Sequence, residues 1–238
     1  MADIVVHTNS ASDVLLWIDG DSCPKNLRAI LLRAVVRTGI RATFVADRTL
    51  PDVLQSMADH TAALRRQVKK LALSSGSVLS DGFSVSCIPT SNMEAGSEEH
   101  SGIVSSIDNI RKVRTPIAMI VVDTGADSAD DYIVEHAAPR TLAVTHDVPL
   151  AARLVSKGLV VLDDRGGCFT PANMGERLSL RNAMTEFREM GIYAEQGRGI
   201  GAVETKAFAD TLDKQLMELL RRFPDGRIAL HPEQMLFY

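Results

Sequence analysis

The chain has 238 residues, of which 45% are hydrophobic and 24% charged, a composition typical of a globular protein with a well-buried core. Its net charge of −4 lacks the positive excess of proteins that coat duplex nucleic acid, so any nucleic-acid partner must be held locally. The three cysteines fit neither a disulfide framework nor a paired zinc site, and no apolar run approaches the about 18 residues of a membrane span. We therefore expect a cytoplasmic protein with free thiols and no membrane association.

The first part of the chain has the pattern strand, helix, strand. An apolar run at 14–19 predicts a buried strand, apolar residues at helical spacing predict a helix over 24–38, and residues 40–47 form a second strand pattern. Ser22 is placed to cap the helix, with Pro24 in its first turn. Such a βαβ unit is parallel and right-handed.

The middle of the chain has a different composition. Residues 51–73 have helical character, whereas 74–106 are rich in Ser, Gly and Glu, which bury too little apolar surface to offset their ordering entropy. We expect a flexible insertion at about 51–113 within one domain that spans 1–238, followed by a short C-terminal tail at 223–238.

Strands and helices alternate again in the second half, which indicates an α/β protein with a parallel sheet. Two amphipathic helices follow, and we expect them to pack on the sheet or to cover one end of it. The predicted strands are 116–122, 140–145 and 159–163, and the predicted helices are about 128–137, 148–157, 171–190 and 203–222.

Nearly every predicted strand ends in acidic residues. Ligands of open parallel sheets bind beyond the carboxyl ends of the strands, so these side chains are candidates for one site. Like charges gathered there repel one another unless a cation lies among them, and Mg²⁺ or Mn²⁺ is commonly held by carboxylates and water. The strand-end residues are Asp19, Asp21, Asp123, His146, Asp147, Asp163 and Asp164, and the next helix adds Asp127, Asp130 and Asp131.

Structural roles compete with this interpretation. Asp127 can cap a helix, and Asp130 and Asp131 favour its positive N-terminal dipole. Asp163 and Asp164 precede two glycines and are typical of a turn. His146 is either a base or a solvated histidine, whereas Asp19 and Asp147 follow directly on buried strands.

Two cations and one cysteine follow the first strand closely. Lys25 and Arg28 lie one turn from Asp21, where they can meet a phosphate backbone. Cys23 is placed near a helix N-terminus, which lowers the pKa of a thiol, but no partner histidine is evident. A buried structural role for Cys23 therefore competes with a nucleophilic one.

Five stretches carry a resemblance to a known family: "WIDGDSCP", "TFVADR", "GADSADDYIVEHA", "LAVTHDVPLAARLVSKG" and "LRNAMTEFREMG". In this order, over 14–50 and 116–220, the chain resembles the YaiI/YqxD family of uncharacterised proteins. The resemblance implies a three-layer PIN-like fold, with a central mostly parallel sheet, helices on both faces and two C-terminal helices.

PIN-like domains include metal-dependent ribonucleases, in which acids after the first and fourth strands and on an intervening helix bind Mg²⁺ or Mn²⁺. By position, the resemblance assigns these roles to Asp19, Asp147 and one or both of Asp130 and Asp131. Asp19, Asp130 and Asp147 are the implied catalytic residues. Asp21 adds a carboxylate that belongs to the family's own motif.

Three functions are compatible with these residues. The first is a metal-dependent nuclease, with RNA as the favoured substrate. The second is a phosphatase of the haloacid-dehalogenase type, since a strand that ends in Asp-x-Asp is also its signature, with Asp19 as nucleophile. Chain order opposes it, because Asp130 and Asp131 precede Thr145 and Lys157 instead of following them. The third is a non-catalytic nucleic-acid or protein-binding module with an acidic ion pocket.

Overall fold

The computed structural model describes residues 4–5, 14–74, 115–123, 125, 127–191 and 199–224. The chain divides into two compact units, Met1–Met57 with Pro116–Ile228, and Ala58–Thr115 with Ala229–Tyr238. Most of the predicted insertion, 75–113, and the tail beyond 224 lie outside the described residues. A single domain over 1–238 stays a prediction.

The described residues form seven strands and six helices, which include the five predicted strands and two short strands, the first and the last, that the sequence patterns do not predict. The strands are β1 (Ile4–Val5), β2 (Leu16–Asp19), β3 (Ala42–Ala46), β4 (Ile117–Val121), β5 (Leu142–Val144), β6 (Val160–Leu162) and β7 (Cys168–Phe169). The helices are α1 (Lys25–Thr38), α2 (Pro51–Ser74), α3 (Ser128–His136), α4 (Val148–Ser156), α5 (Pro171–Glu189) and α6 (Ala202–Arg222).

The strands form one mostly parallel sheet in the order β1-β4-β3-β2-β5-β6-β7. The five inner strands pair in parallel, and β1 and β7 add antiparallel edges. After β2, the chain builds β3 and β4 on one side and then returns to build β5 and β6 on the other. The order therefore reverses between β2 and β5, which is where ligands bind in open α/β sheets.

Alternate side chains of the strands enter two cores, one on each face of the sheet. In β2, Leu16 and Ile18 join the core that α1 and α6 cover, and Trp17 joins the core that α3 and α4 cover. Helices thus lie on both faces, which confirms the predicted α/β architecture. None of the helices in the described ranges combines the length and apolar character needed to cross a membrane. A cytoplasmic location stays a prediction.

The turn between β6 and β7 contacts helix α6 at Gly166. Gly166 has a positive φ of 85°, and a Cβ atom there would lie 2.5 Å from the backbone carbon of Ala207 and 2.6 Å from the nitrogen of Phe208. Thr211 Oγ1 donates to Gly166 O at 2.9 Å. A residue without a side chain therefore sets how closely this turn approaches α6.

We expect Gly166→Ala to destabilise the fold by about 3 kcal/mol, because the methyl group adds a backbone clash to the strain of a positive φ. Gly191→Ala is the matched control, since Gly191 also has a positive φ, 74°, but a methyl group there would have no atom within 4 Å. It should cost about 1 kcal/mol. Urea unfolding of both variants measures the difference, and equal losses would contradict the role of the α6 contact.

Candidate metal centre at the carboxyl edge of the sheet

The carboxylate of Asp19 is buried at the end of β2, with 3% of the residue exposed. Its Oδ1 accepts hydrogen bonds from the backbone nitrogens of Asp21 and Ser22, both at 3.2 Å. Its Oδ2 accepts from Ser22 Oγ at 2.6 Å and from Thr145 Oγ1 at 2.7 Å. These donors offset the cost of removing the charge from water and fix the carboxylate in one orientation.

The prediction that Ser22 caps helix α1 is therefore wrong. The N-cap position is Pro24, which makes no side-chain capping bond, and α1 begins at Lys25. The hydroxyl of Ser22 instead donates a hydrogen bond to Asp19 and accepts one from the backbone N–H of His146 at 3.1 Å. A hydrogen bond to a buried carboxylate is stronger than one to an exposed helix end, so the hydroxyl binds Asp19.

The segment after β5 brings Asp147 to the same edge of the sheet. Thr145 Oγ1, which donates to Asp19, also accepts the backbone nitrogen of Asp147 at 3.0 Å. Asp147 caps α4, because its Oδ1 accepts the backbone nitrogen of Leu150 at 2.8 Å. The other carboxylate oxygen of Asp147 does not take part in the cap, so it can still bind a cation.

Helix α3 brings Asp130 to this edge, because the helix packs against β2, β3 and α4. Burial, together with the charges of Asp19, Asp147 and Asp127, raises the pKa of Asp130 to about 7. Asp127 precedes the helix with a positive φ of 61° and makes no side-chain capping bond. The structure thus places Asp130 within the electrostatic reach of Asp19 and Asp147.

Two other predicted ligands are held in ion pairs. Asp131 Oδ1 lies 2.6 Å from Arg153 Nη2, on the exposed side of the helix. Asp21 Oδ1 lies 3.3 Å from Arg48 Nη1, and its Oδ2 accepts the backbone nitrogen of Asp47 at 2.8 Å. Burial raises the pKa of Asp21 above its ordinary value. For both residues, metal binding stays a prediction.

The two predicted phosphate-binding cations differ in their surroundings. Arg28 pairs with Asp52, with Nε 2.9 Å from Oδ2, and its Nη1 donates to Cys23 O at 2.7 Å. Lys25 is exposed at the start of α1. Arg28 therefore ties α1 to α2, whereas Lys25 is accessible to a ligand.

Cys23 is buried, and burial raises the pKa of its thiol to about 12. The thiolate, which is the nucleophilic form, is then scarce at neutral pH. The structure favours the structural role of Cys23 over the nucleophilic one.

A second group of ionisable side chains lies at the exits of β5 and β6. Nδ1 of His146 lies 3.0 Å from Asp164 Oδ1 and 3.7 Å from Asp163 Oδ1. The carboxylates of Asp163 and then Asp164 raise the pKa of His146 to about 10. Asp163 and Asp164 do form a turn, since Asp163 N donates to Gly167 O at 2.8 Å, but both are also buried.

The two groups differ in how closely their potential ligand atoms approach. In the part of the chain that the structure describes, His146, Asp163 and Asp164 have ligand atoms that all lie within 4.8 Å of one another, as a metal ion requires. Among the same described residues, the oxygens of Asp19, Asp130 and Asp147 do not all meet that spacing. A single ion that contacts three side chains directly is therefore supported by the spacing of the second group and not by that of the first.

Sequence comparisons place the chain in a family. The profile of a family described as "Uncharacterized BCR, YaiI/YqxD family" matches residues 94–218. A UPF0178 protein of Myxococcus xanthus (strain DK1622) is 34% identical over 209 residues, which cover 88% of this chain and 98% of the relative. The chain belongs to the YaiI/YqxD family.

Other relatives agree with this assignment. A UPF0178 protein of Geobacter sulfurreducens is 34% identical over 210 residues, 87% of this chain and 99% of the relative. One from Pseudomonas fluorescens (strain SBW25) is 45% identical over 120 residues, 50% of this chain and 80% of the relative. No solved structure matches the chain. The names of these relatives state no activity, so function must be inferred from the site.

Sequence reasoning did not identify Thr145 as part of this site. A threonine directly after a buried strand, two residues before a helix-capping aspartate, is the only local signal of its role. Its partner Asp19 is 126 residues away in the chain, and the contact depends on the pairing of β2 with β5.

The raised pKa of Asp130 predicts a specific dependence of stability on pH. An acid with a pKa raised above its unfolded value binds protons more tightly when folded, so stability falls as pH rises from about 4 to 7 and then levels off. Asp130→Asn removes this loss, and we expect it to stabilise the fold at pH 8 by about 1 kcal/mol, since solvent screens a half-buried group. The gain should vanish near pH 4.

Thermal unfolding at both pH values measures this difference. Carbon NMR of the carboxyl group gives the pKa of Asp130 directly. A midpoint near 4 would show that neither burial nor the charges of Asp19 and Asp147 raise it.

Proposed function

We propose that this chain is a metal-dependent nuclease that hydrolyses phosphodiester bonds, with RNA as its substrate and Mg²⁺ or Mn²⁺ as its cofactor. The observation that carries the proposal is the gathering of Asp19, Asp130 and Asp147 at the reversal point of the sheet, where the charges of Asp19 and Asp147 act on Asp130. Burial and these two charges disfavour the charged form of Asp130, and a divalent cation bound there would stabilise it.

The chemistry of these donors fits a hard cation. Carboxylate oxygens are the ligands that Mg²⁺ and Mn²⁺ prefer, and a bound ion of this kind activates water and neutralises charge on the leaving oxygen. Asp19 is held rigidly by Ser22 and Thr145, so it would orient the ion. The pKa of Asp130 is raised to about 7, so a bound cation would displace its proton at neutral pH.

A PIN-like fold is part of this proposal. Among the parallel strands in chain order, Asp19 ends the first and Asp147 follows the fourth, and Asp130 is on the helix that precedes the fourth. These are the positions that the resemblance to PIN-like ribonuclease domains assigns to metal ligands. Support for RNA as substrate comes from this resemblance and from Lys25, which can meet a phosphate next to the acids.

The burial of Asp19 disfavours the phosphatase alternative. A nucleophilic carboxylate must approach phosphorus with a free oxygen, but both oxygens of Asp19 accept two hydrogen bonds each. A direct metal ligand would need a free lone pair as well, so Asp19 would orient an ion through its charge or through a bound water, whereas attack on phosphorus requires direct contact. Phosphorylation of Asp19 by a reactive phosphate monoester would reverse this ranking.

Two neighbouring aspartates provide a matched test of the proposal. Asp130→Asn should abolish cleavage of a fluorescent RNA oligonucleotide, with a loss of about 100-fold or more, because it removes a ligand of the ion. Asp131→Asn should retain activity within about threefold, since it breaks only an exposed ion pair with Arg153.

Calorimetric titration with Mn²⁺ and thermal unfolding accompany the activity assay, so that binding, folding and turnover are separated. If wild-type protein binds Mn²⁺ but cleaves neither RNA nor DNA, the non-catalytic binding module replaces the nuclease. If neither ion binds at millimolar concentration, the proposal fails.

Lys25→Ala should weaken the binding of RNA without a change in the binding of Mn²⁺. One phosphate contact fewer should raise KM by about threefold to tenfold and reduce the slope of log affinity against log salt by about one. Arg33→Ala is the control, because Arg33 is exposed on the same helix two turns further along. Equal effects of the two substitutions would show only a general loss of charge.

A further inference from the structure

We propose that His146, Asp163 and Asp164 form a separate site for a divalent transition-metal ion, such as Mn²⁺ or Zn²⁺. These residues share no ligand with the proposed site at Asp19, Asp130 and Asp147. The inference therefore does not depend on the nuclease proposal.

The geometry of the three side chains is suited to one ion. One imidazole nitrogen and one oxygen from each of two carboxylates lie within 4.8 Å of one another, so a single ion can contact all three. A mixed nitrogen and oxygen donor set suits Zn²⁺ and Mn²⁺. Three protein ligands leave coordination positions for water or a substrate.

The state of Asp164 supports the same site independently. Its Oδ1 is buried and accepts no hydrogen bond from the described residues, although His146 Nδ1 is only 3.0 Å away. The nitrogen is thus at contact distance but outside the direction of a hydrogen bond. A buried oxygen without a hydrogen bond requires an explanation, and a positive charge on the imidazole side, from a bound cation or from a protonated His146, supplies one.

The carboxylates are fixed in position, while the imidazole is accessible. The Asp163 backbone is held in the turn by Gly166 and Gly167, and its Oδ2 lies 3.7 Å from Arg177 Nη1, which leaves Oδ1 towards His146. The side chain of His146 is 58% exposed, whereas that of Asp164 is 10% exposed. An ion can therefore enter from solvent on the imidazole side and meet oxygens that are already in position.

The alternative is a closed ion-pair network, in which a protonated His146 neutralises the two carboxylates without a metal. The two states exclude each other, because an imidazole nitrogen that binds a metal must first release its proton. Only the binding of a metal distinguishes them.

The experiment uses the full chain in the Asp130→Asn background, which lacks a ligand of the proposed nuclease site. Calorimetric titrations with MnCl₂ and ZnCl₂ should show one remaining equivalent of bound ion. The added substitution Asp164→Asn should weaken that binding by tenfold or more, and so should His146→Gln. Two substitutions are needed because either alone can perturb folding, which thermal unfolding monitors.

A second readout does not rely on stoichiometry. In the same background, Mn²⁺ should broaden the imidazole NMR signals of His146 at concentrations that leave those of His136 unchanged. His136 is the internal control, because its ring stacks on Tyr132 and its Nδ1 lies 2.9 Å from Tyr132 O.

If Asp130→Asn protein binds neither ion and the His146 signals do not respond, the group is an ion-pair network and the inference is wrong. That result leaves the nuclease proposal intact, because that proposal is judged by the RNA cleavage and the additional equivalent of Mn²⁺ that the wild type should show and Asp130→Asn should lose.

Discussion

The arrangement of the candidate site depends on one buried charge, the carboxylate of Asp19. A carboxylate at the end of a buried strand is costly unless hydrogen-bond donors surround it, and four donors do so here. Two come from the backbone of the turn that follows β2, and two are hydroxyl groups. Because one hydroxyl belongs to Thr145 after β5, the same carboxylate also joins the two strands between which the sheet order reverses.

Much of the fold can be predicted from the sequence because its signals are local. Apolar runs and helical spacing identify the strands and helices, and parallel strands bring Asp19 and Asp147 to one edge of the sheet. The sequence does not decide between Asp130 and Asp131. Consecutive helix residues point about 100° apart, and only the packing of α3 against β2 and β3 determines which one faces inward.

The same limit explains the other differences between prediction and structure. Ser22 has the residue type and position of a helix cap, but its hydroxyl serves a buried charge that no local pattern reveals. Asp163 and Asp164 have the pattern of a turn and do form one, yet they are also buried, which the turn pattern does not predict. Burial arises from contacts between distant segments, which a single sequence does not specify.

Ion pairs with arginines compensate the charge of several acids at or near the carboxyl edge of the sheet. Arg153 pairs with Asp131, Arg48 pairs with Asp21, and Arg28 pairs with Asp52. The acids near the reversal point are thereby distinguished from acids that are equally prominent in the sequence.

The hydrogen bond between Thr145 and Asp19 also has a consequence for the order of folding. Its partners are separated by 126 positions in the chain, so the site cannot assemble until β5 has been synthesised and has paired with β2. The unfolded chain and its N-terminal fragments do not hold these oxygens together. An ion that binds here would therefore bind the native state alone and, by mass action, would protect the completed fold.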